Sequence, residues 1–328
     1  MSRIITLDDF IETYTKLNQR GLGFISSKFN FNEIKRAKTA FNHIDTKSAN
    51  WWIIPKIKER WNLLITGDKN IGPEEFTINT FLKDKQNLKM LSLGSGSCTS
   101  ELKFSMHSVF DEILCTDIAE KPLIEAEKIS KKKNLNNIKF KIQDANNFSF
   151  PENYYDIVYF KASLHHFKNV ESLLSKHINK TLKKDGILII DEFVGPTRFQ
   201  FPKEQIKSIN EAIQLIPKKF RKRYKLNLYK NKIYGSGLIR MILADPSECI
   251  DSENILPSIH KHYKTVYEAG YGGNIIKMAL KDLAHHFIEL NEEKENVLNN
   301  LFHFENEYLK THPSDFVFGI YKPNITSF

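Results

Sequence analysis

Two glycines, a small set of carboxylates and a pair of histidines carry the strongest chemical signal in this sequence. An apolar run ends in Leu93-Gly94-Ser95-Gly96-Ser97-Cys98. Glycines at that spacing let the chain turn tightly and bring bare backbone, with the start of the next helix, up to a ligand. The next apolar run ends in Asp117, followed by Ile118. An acid about 20 residues beyond such a turn is placed to accept both hydroxyls of a ribose. Its other use would be to cap a helix over 118–123. A third run ends in Gln143-Asp144-Ala145, where a carboxylate can accept from an adenine amine and alanine leaves room for the ring. A fourth ends in Lys161-Ala162-Ser163-Leu164-His165-His166-Phe167, and a fifth in Asp191-Glu192. The combination points to a nucleoside ligand.

These residues need a scaffold that brings five chain segments to one edge. From about residue 88, short apolar runs alternate with helix-like stretches. Met90–Leu93, Glu112–Thr116, Ile138–Ile142, Ile157–Phe160 and Ile187–Ile190 are candidate strands, with helices over Lys121–Lys132 and Val170–Leu182. That alternation predicts an α/β fold with a doubly wound, mostly parallel sheet, covered by helices on both faces. Ligands of such sheets bind outside the carboxyl ends of the strands. Four regions follow: a helical N-terminal cap over 1–80, an α/β core over 81–195, a helical acceptor-side cap over 196–260, and completion of the sheet over 261–328. The last region holds a helical insertion over roughly 273–311 and strands at Tyr263–Tyr267 and Phe316–Tyr321. Lys183-Lys184-Asp185-Gly186 reads as a turn between a helix and the fifth strand.

In this order the segments resemble a class I S-adenosylmethionine-dependent methyltransferase over about residues 88–195. They are similar to the type 11-like subgroup whose core reads LHH…LKPGG; here Leu164-His165-His166-Phe167 and Leu182-Lys183-Lys184-Asp185-Gly186 stand in those places. The resemblance implies a seven-stranded Rossmann-like sheet and S-adenosyl-L-methionine as cofactor, leaving S-adenosyl-L-homocysteine, with no metal. It implies that Gly94, Ser95 and Gly96 wrap the methionine end, that Asp117 holds the ribose and that Asp144 and Ala145 flank the adenine. Ser92, Ile118 and Lys161 complete the cofactor side. Two departures stand out: Ser92 replaces the usual acid, and Cys98 a common third glycine. Flanking segments such as Trp51-Trp52-Ile53-Ile54-Pro55, Gly195-Pro196-Thr197-Arg198 and Tyr271-Gly272-Gly273-Asn274 resemble bacterial methyltransferases associated with glycan or specialised-metabolite assembly.

Methyl transfer requires an acceptor held in line and shielded from water. For a hydroxyl acceptor a base removes the proton; His165 or His166 is the first candidate and Glu192 the second. Trp52, Arg198 and Tyr271 are the acceptor-side candidates, with Arg198 suited to a carboxylate or phosphate. The expected partner is a small molecule or glycan precursor, and O-methylation is favoured. The formal charge of +9 comes from lysine spread along the chain, with its densest basic run at Lys218, Lys219, Arg221, Lys222, Arg223 and Lys225, and keeps an RNA acceptor open as an alternative. No Asn/Asp-Pro-Pro-aromatic element follows the fourth strand, however. Cys98 in place of a third glycine disfavours a nicotinamide enzyme. A nucleoside-binding regulator without turnover is the remaining alternative. Three widely spaced cysteines and the absence of a long apolar run or secretory leader predict a cytoplasmic protein without a membrane span.

Overall fold

The computed structural model describes residues 2–20, 50–144 and 150–324. Of the sequence candidates, only Ala145 lies outside them. The chain forms two compact units, each assembled from separate stretches: Met1–Leu64, Gly195–Glu248 and Gly270–Phe316 in the first, and Ile65–Val194, Cys249–Ala269 and Val317–Phe328 in the second.

Seven strands form one sheet in the order β3-β2-β1-β4-β5-β7-β6. They are β1 (Leu88–Leu93), β2 (Phe110–Asp117), β3 (Ile138–Ile142), β4 (Tyr155–Lys161), β5 (Leu182–Phe193), β6 (Tyr263–Gly272) and β7 (Phe316–Pro323). β1 is apolar and buried almost throughout, the pattern of a strand covered on both faces, and it sits inside the sheet. Met90 lies opposite Ile113 of β2 on one side and Ile157 of β4 on the other, both in parallel register. β2–β3 and β4–β5 are also parallel. Strand order reverses between β1 and β4, so the crevice above their carboxyl ends is the switch point where such sheets take ligands.

In the second unit, helix Glu120–Lys132 buries Leu123, Ala126 and Ser130, while Glu125–Lys128 and Glu127–Lys131 pair on its outer face. That division is the amphipathic pattern of a helix laid on a sheet. A core of Leu91, Leu93, Val158, Phe160, Leu188 and Ile190 extends to Leu174, Ile178, Ile255 and Ile259. The helix expected over Val170–Leu182 forms without a break over 170–181 and carries a π-helical stretch at Leu173–Ile178, while Leu182 already belongs to β5. One expectation is corrected here. Lys183–Gly186 is not a turn before the strand but lies within it. The partner of β4 jumps from Leu182, opposite Tyr155, to Ile187, opposite Ile157. The extra residues bulge out, and a Cβ on Gly186 would come within 2.9 Å of the Lys183 carbonyl oxygen, so glycine is needed there.

The first unit is helical, with helices at Leu7–Arg20, Lys203–Gln214 and Glu292–Leu309 among others. Asp8 accepts from the N–H groups of Tyr234 and Gly235, and Asp9 from Gly237 N–H and Arg240. These bonds fasten the start of the chain to a stretch without regular structure. Glu305, fully buried, accepts from the N–H groups of Gly273, Ile275 and Ile276 and pairs with Arg60. No helix among the described residues is long and apolar enough to cross a membrane.

Candidate active site

The turn after β1 brings bare backbone to the crevice. Gly94 and Gly96 both adopt positive φ, +69° and +52°, where glycine is favoured. A Cβ on Gly94 would lie 2.6 Å from Ser163 Cβ, so β1 and the loop after β4 meet without room for a side chain; one on Gly96 would meet nothing within 4 Å. Ser95 Oγ donates to the Ser92 carbonyl, bracing the turn. Asp117, at the end of β2, accepts from Gly96 N–H at 2.8 Å and Ala119 N–H at 2.7 Å. The helix that follows begins at Glu120 with Ala119 as its N-cap and no side-chain cap, so Asp117 braces the loop before the helix rather than capping it. An ionised carboxylate offers about four lone-pair sites, which leaves room for two hydroxyl donors. Burial raises its pKa, opposed by the two N–H groups and by His166.

Past β3, the side-chain amide nitrogen and oxygen of Gln143 are both buried, and neither finds a hydrogen-bond partner among the described residues. A buried amide without partners is rare, and a donor next to an acceptor complements an adenine edge. Asp144 follows it. Open backbone at Gly96, spare acceptor capacity on Asp117 and this orphaned amide all fit a nucleoside.

Lys161, ending β4, organises a cluster that sequence reasoning missed. Its ammonium contacts Ser100 Oγ at 2.9 Å, Glu74 Oε1 at 3.3 Å and Asp191 Oδ2 at 3.2 Å. Ser100 Oγ donates to Glu74 Oε1, and Lys103 pairs with Glu74 Oε2 at 3.1 Å. Burial opposes ionisation of Glu74, yet Lys161, Lys103 and Ser100 outweigh it and hold the carboxyl at about 2. Burial likewise opposes the charge on Lys161, but the neighbouring Tyr159, Asp191 and Glu74 push its pKa well up. Lys161 is thus a fixed cation. Beside it, Ser92 Oγ donates to Glu101 Oε1 at 2.6 Å. Glu74 comes from helix Pro73–Thr77 and Glu101 from helix Thr99–Phe104.

The histidine loop joins two candidates that sequence had ranked as alternatives. His165 Nδ1 lies 2.7 Å from Glu192 Oε2, both buried. Glu192 Oε1 accepts from the N–H groups of Ser163 and Leu164. A carboxylate so surrounded accepts only, which fixes the imidazole with its proton on Nδ1. His166 stacks on His165, with ring centroids 4.3 Å apart.

The acceptor-side candidates belong to the first unit. Arg198 and Phe199 both have positive φ, and the Arg198 guanidinium donates to the carbonyls of Pro246 at 2.6 Å, Glu248 at 2.9 Å and Asp245 at 3.4 Å. It thereby braces the 245–248 loop. Tyr271 is buried against Trp61 and Phe316. Trp52 is half exposed, whereas its neighbour Trp51 packs on Trp61 and Phe316. In the basic run, Lys219 pairs with Glu293, Arg223 with Asp282, and Arg221 donates to Gln214 and the Ile216 carbonyl.

A family described as a methyltransferase domain matches residues 84–269, more than half of the chain. An uncharacterized methyltransferase of Bacillus subtilis (strain 168), YcgJ, is 26% identical over 106 residues; the match spans 32% of this chain and 41% of that relative. Among solved structures, phosphoethanolamine N-methyltransferase 2 of Haemonchus contortus, in complex with S-adenosyl-L-methionine, is similar at 14% identity, covering 82% of this chain and 57% of that one, with a TM-score of 0.47. The YcgJ structure is similar at 17% identity over 76% and 98% of the two chains, TM-score 0.43. The [4+2]-cyclase SpnF matches at 14% identity over 76% and 79%, TM-score 0.45.

Proposed function

This chain belongs to the methyltransferase-domain family, and from that premise we propose that it methylates a hydroxyl of a small-molecule or sugar acceptor, with His165 as general base. The observation that carries the reading is the bond from His165 Nδ1 to Glu192, beyond the carboxyl end of β4 and beside the residues that fit a nucleoside. When bound, S-adenosyl-L-methionine supplies a methyl group on a sulfonium centre. Asp117 holds the ribose, Gly94 to Gly96 give their backbone to the aminoacyl end, and Asp144 and Ala145 flank the base. With the Nδ1 proton directed at Glu192, the lone pair of His165 is on Nε2, which takes the acceptor's hydroxyl proton. Glu192 then stabilises the imidazolium that forms. His166 is assigned to the wall of the crevice near Asp117. Lys161 is too strongly held in the charged form to act as a base and serves as a positive anchor.

A decisive assay supplies purified protein with S-adenosyl-L-methionine and a panel of sugars, nucleotide-linked sugars, phenols, amines and RNA, and follows formation of S-adenosyl-L-homocysteine. We expect a hydroxyl acceptor to turn over. His165→Ala should lower kcat by about 10²–10⁴-fold, and Glu192→Gln by less, with affinity for S-adenosyl-L-homocysteine unchanged in both. Full turnover of every accepted substrate by His165→Ala would remove the base assignment. Transfer only to amines or RNA would replace the acceptor class.

A further inference from the structure

The charges around Lys161 do not balance, and the imbalance has a location. Three carboxylates, Glu74, Glu101 and Asp191, surround this ammonium. An ammonium has three protons, and those of Lys161 face Ser100 Oγ, Glu74 Oε1 and Asp191 Oδ2. Lys103 is also committed to Glu74. Glu101 accepts from Ser92 Oγ and from its own backbone N–H and feels Lys161 only through space; among the described residues no lysine, arginine or histidine makes an ion pair with it. It is only 2% exposed, and a buried carboxylate without a directly paired cation is unfavourable in low-dielectric surroundings. Burial accordingly raises its pKa, although the Ser92 bond opposes the change.

The position of Ser92 says what cation is missing. Ser92 is the residue before Leu93 at the end of β1, two positions before Gly94, and its carbonyl accepts from both Ser95 Oγ and Thr116 Oγ1. The carboxylate is therefore tied to the same turn whose backbone approaches the ligand, with Asp117 beyond it on β2. A molecule spanning the two would be a nucleoside at the Asp117 end and a cation at the Glu101 end.

We propose that Glu101, presented by Ser92, binds the α-ammonium of the methyl donor's aminoacyl end, so that the acid absent from β1 is supplied by the helix that follows. The assignment rests on the methyl-donor reading above. It makes Glu101 a ligand-binding residue and Ser92 a positioning residue.

Calorimetry with two ligands separates this assignment from the reading beneath it. S-adenosyl-L-homocysteine carries the ammonium; 5′-methylthioadenosine keeps the nucleoside and lacks the aminoacyl group. Glu101→Gln should weaken S-adenosyl-L-homocysteine by about tenfold or more, the scale of one charge-assisted contact, and leave 5′-methylthioadenosine within about twofold. Adding Ser92→Asp to Glu101→Gln returns a carboxylate to β1 and should recover most of the lost affinity. Equal weakening of both ligands, or of neither, overturns the proposal. Wild-type protein that binds neither ligand overturns the donor reading and this assignment with it. If Glu101→Gln does not fold, as judged by its thermal transition, Ser92→Ala takes its place. Selective loss of S-adenosyl-L-homocysteine again supports the assignment, and parallel loss refutes it.

Discussion

Asp117, the residue proposed to receive a ribose, is nearly buried, and burial raises its pKa; the N–H groups of Gly96 and Ala119 and the nearby His166 pull the other way without cancelling that rise. Removing the carboxylate should therefore damage the nucleoside end of the site, in contrast to Glu101 at the other end. Asp117→Ala is expected to weaken S-adenosyl-L-homocysteine and 5′-methylthioadenosine alike, by about tenfold or more; calorimetry with the same pair checks it, and selective loss of only one would contradict the assignment. At this scale the sequence was readable where residue type and local spacing fix the backbone: Gly94 and Gly96 adopt positive φ and Asp117 ends β2. It was opaque where contacts arose across segments. Ser92 stood as a cofactor-side candidate without a visible acid beside it, because its partner Glu101 lies on the following helix. Glu192 and His165 looked like rivals because nothing in a linear chain shows that they touch. Arg198 looked available to an anion, yet its donors meet three carbonyls of the 245–248 loop.

The strands were legible because the middles of β1, β4 and β5, such as Ile157–Phe160 and Ile187–Ile190, are buried apolar runs. The bulge in β5 was not. Lys183-Lys184-Asp185-Gly186 has turn chemistry, and only the pairing with β4 shows that it is an interruption within a strand. The π-helical stretch in the helix before it was hidden for a related reason: periodicity does not distinguish an α-helix from one carrying a π-helical turn. In the first unit, three N–H groups at the Gly273–Ile276 turn depend on a single side chain, Glu305. Glu305→Ala leaves these donors and Arg60 without their buried partner. A loss of roughly 2–4 kcal/mol of stability is expected, measured by denaturant unfolding; a change below about 0.5 kcal/mol would show that water replaces the carboxylate.

For the whole molecule, the excess of basic residues read from composition has a structural outlet in ion pairs and carbonyl contacts, as in the 218–225 run. One of these lysines has a different fate. Lys230 is fully buried and donates to the carbonyls of Met278 and Lys281, and burial, chiefly, pushes its pKa down to about 7. In the unfolded chain it would titrate near about 10.4. Between those limits the unfolded state holds a proton that the folded state lacks, so its contribution favours folding increasingly as pH rises from about 7 towards 10. Unfolding curves at pH 7, 8 and 9 should show wild type gaining stability relative to Lys230→Met; a constant difference across that range would count against a neutral amine. The interleaving of the chain between its two units could not be anticipated from composition or periodicity, since neither reports which distant segments pack together.

The place of β7 between β5 and β6 matters most while the polypeptide is still being made. β6 leaves the ribosome before the strand that must separate it from β5, and it cannot take its final neighbour until Pro323 has cleared the exit tunnel. Throughout that interval two strand edges expose unpaired amides and carbonyls, the template on which nascent polypeptides stick to one another. Vectorial synthesis thus leaves the sheet incomplete until β7 has emerged, and a chaperone that shelters those edges would act between the emergence of β6 and that of β7.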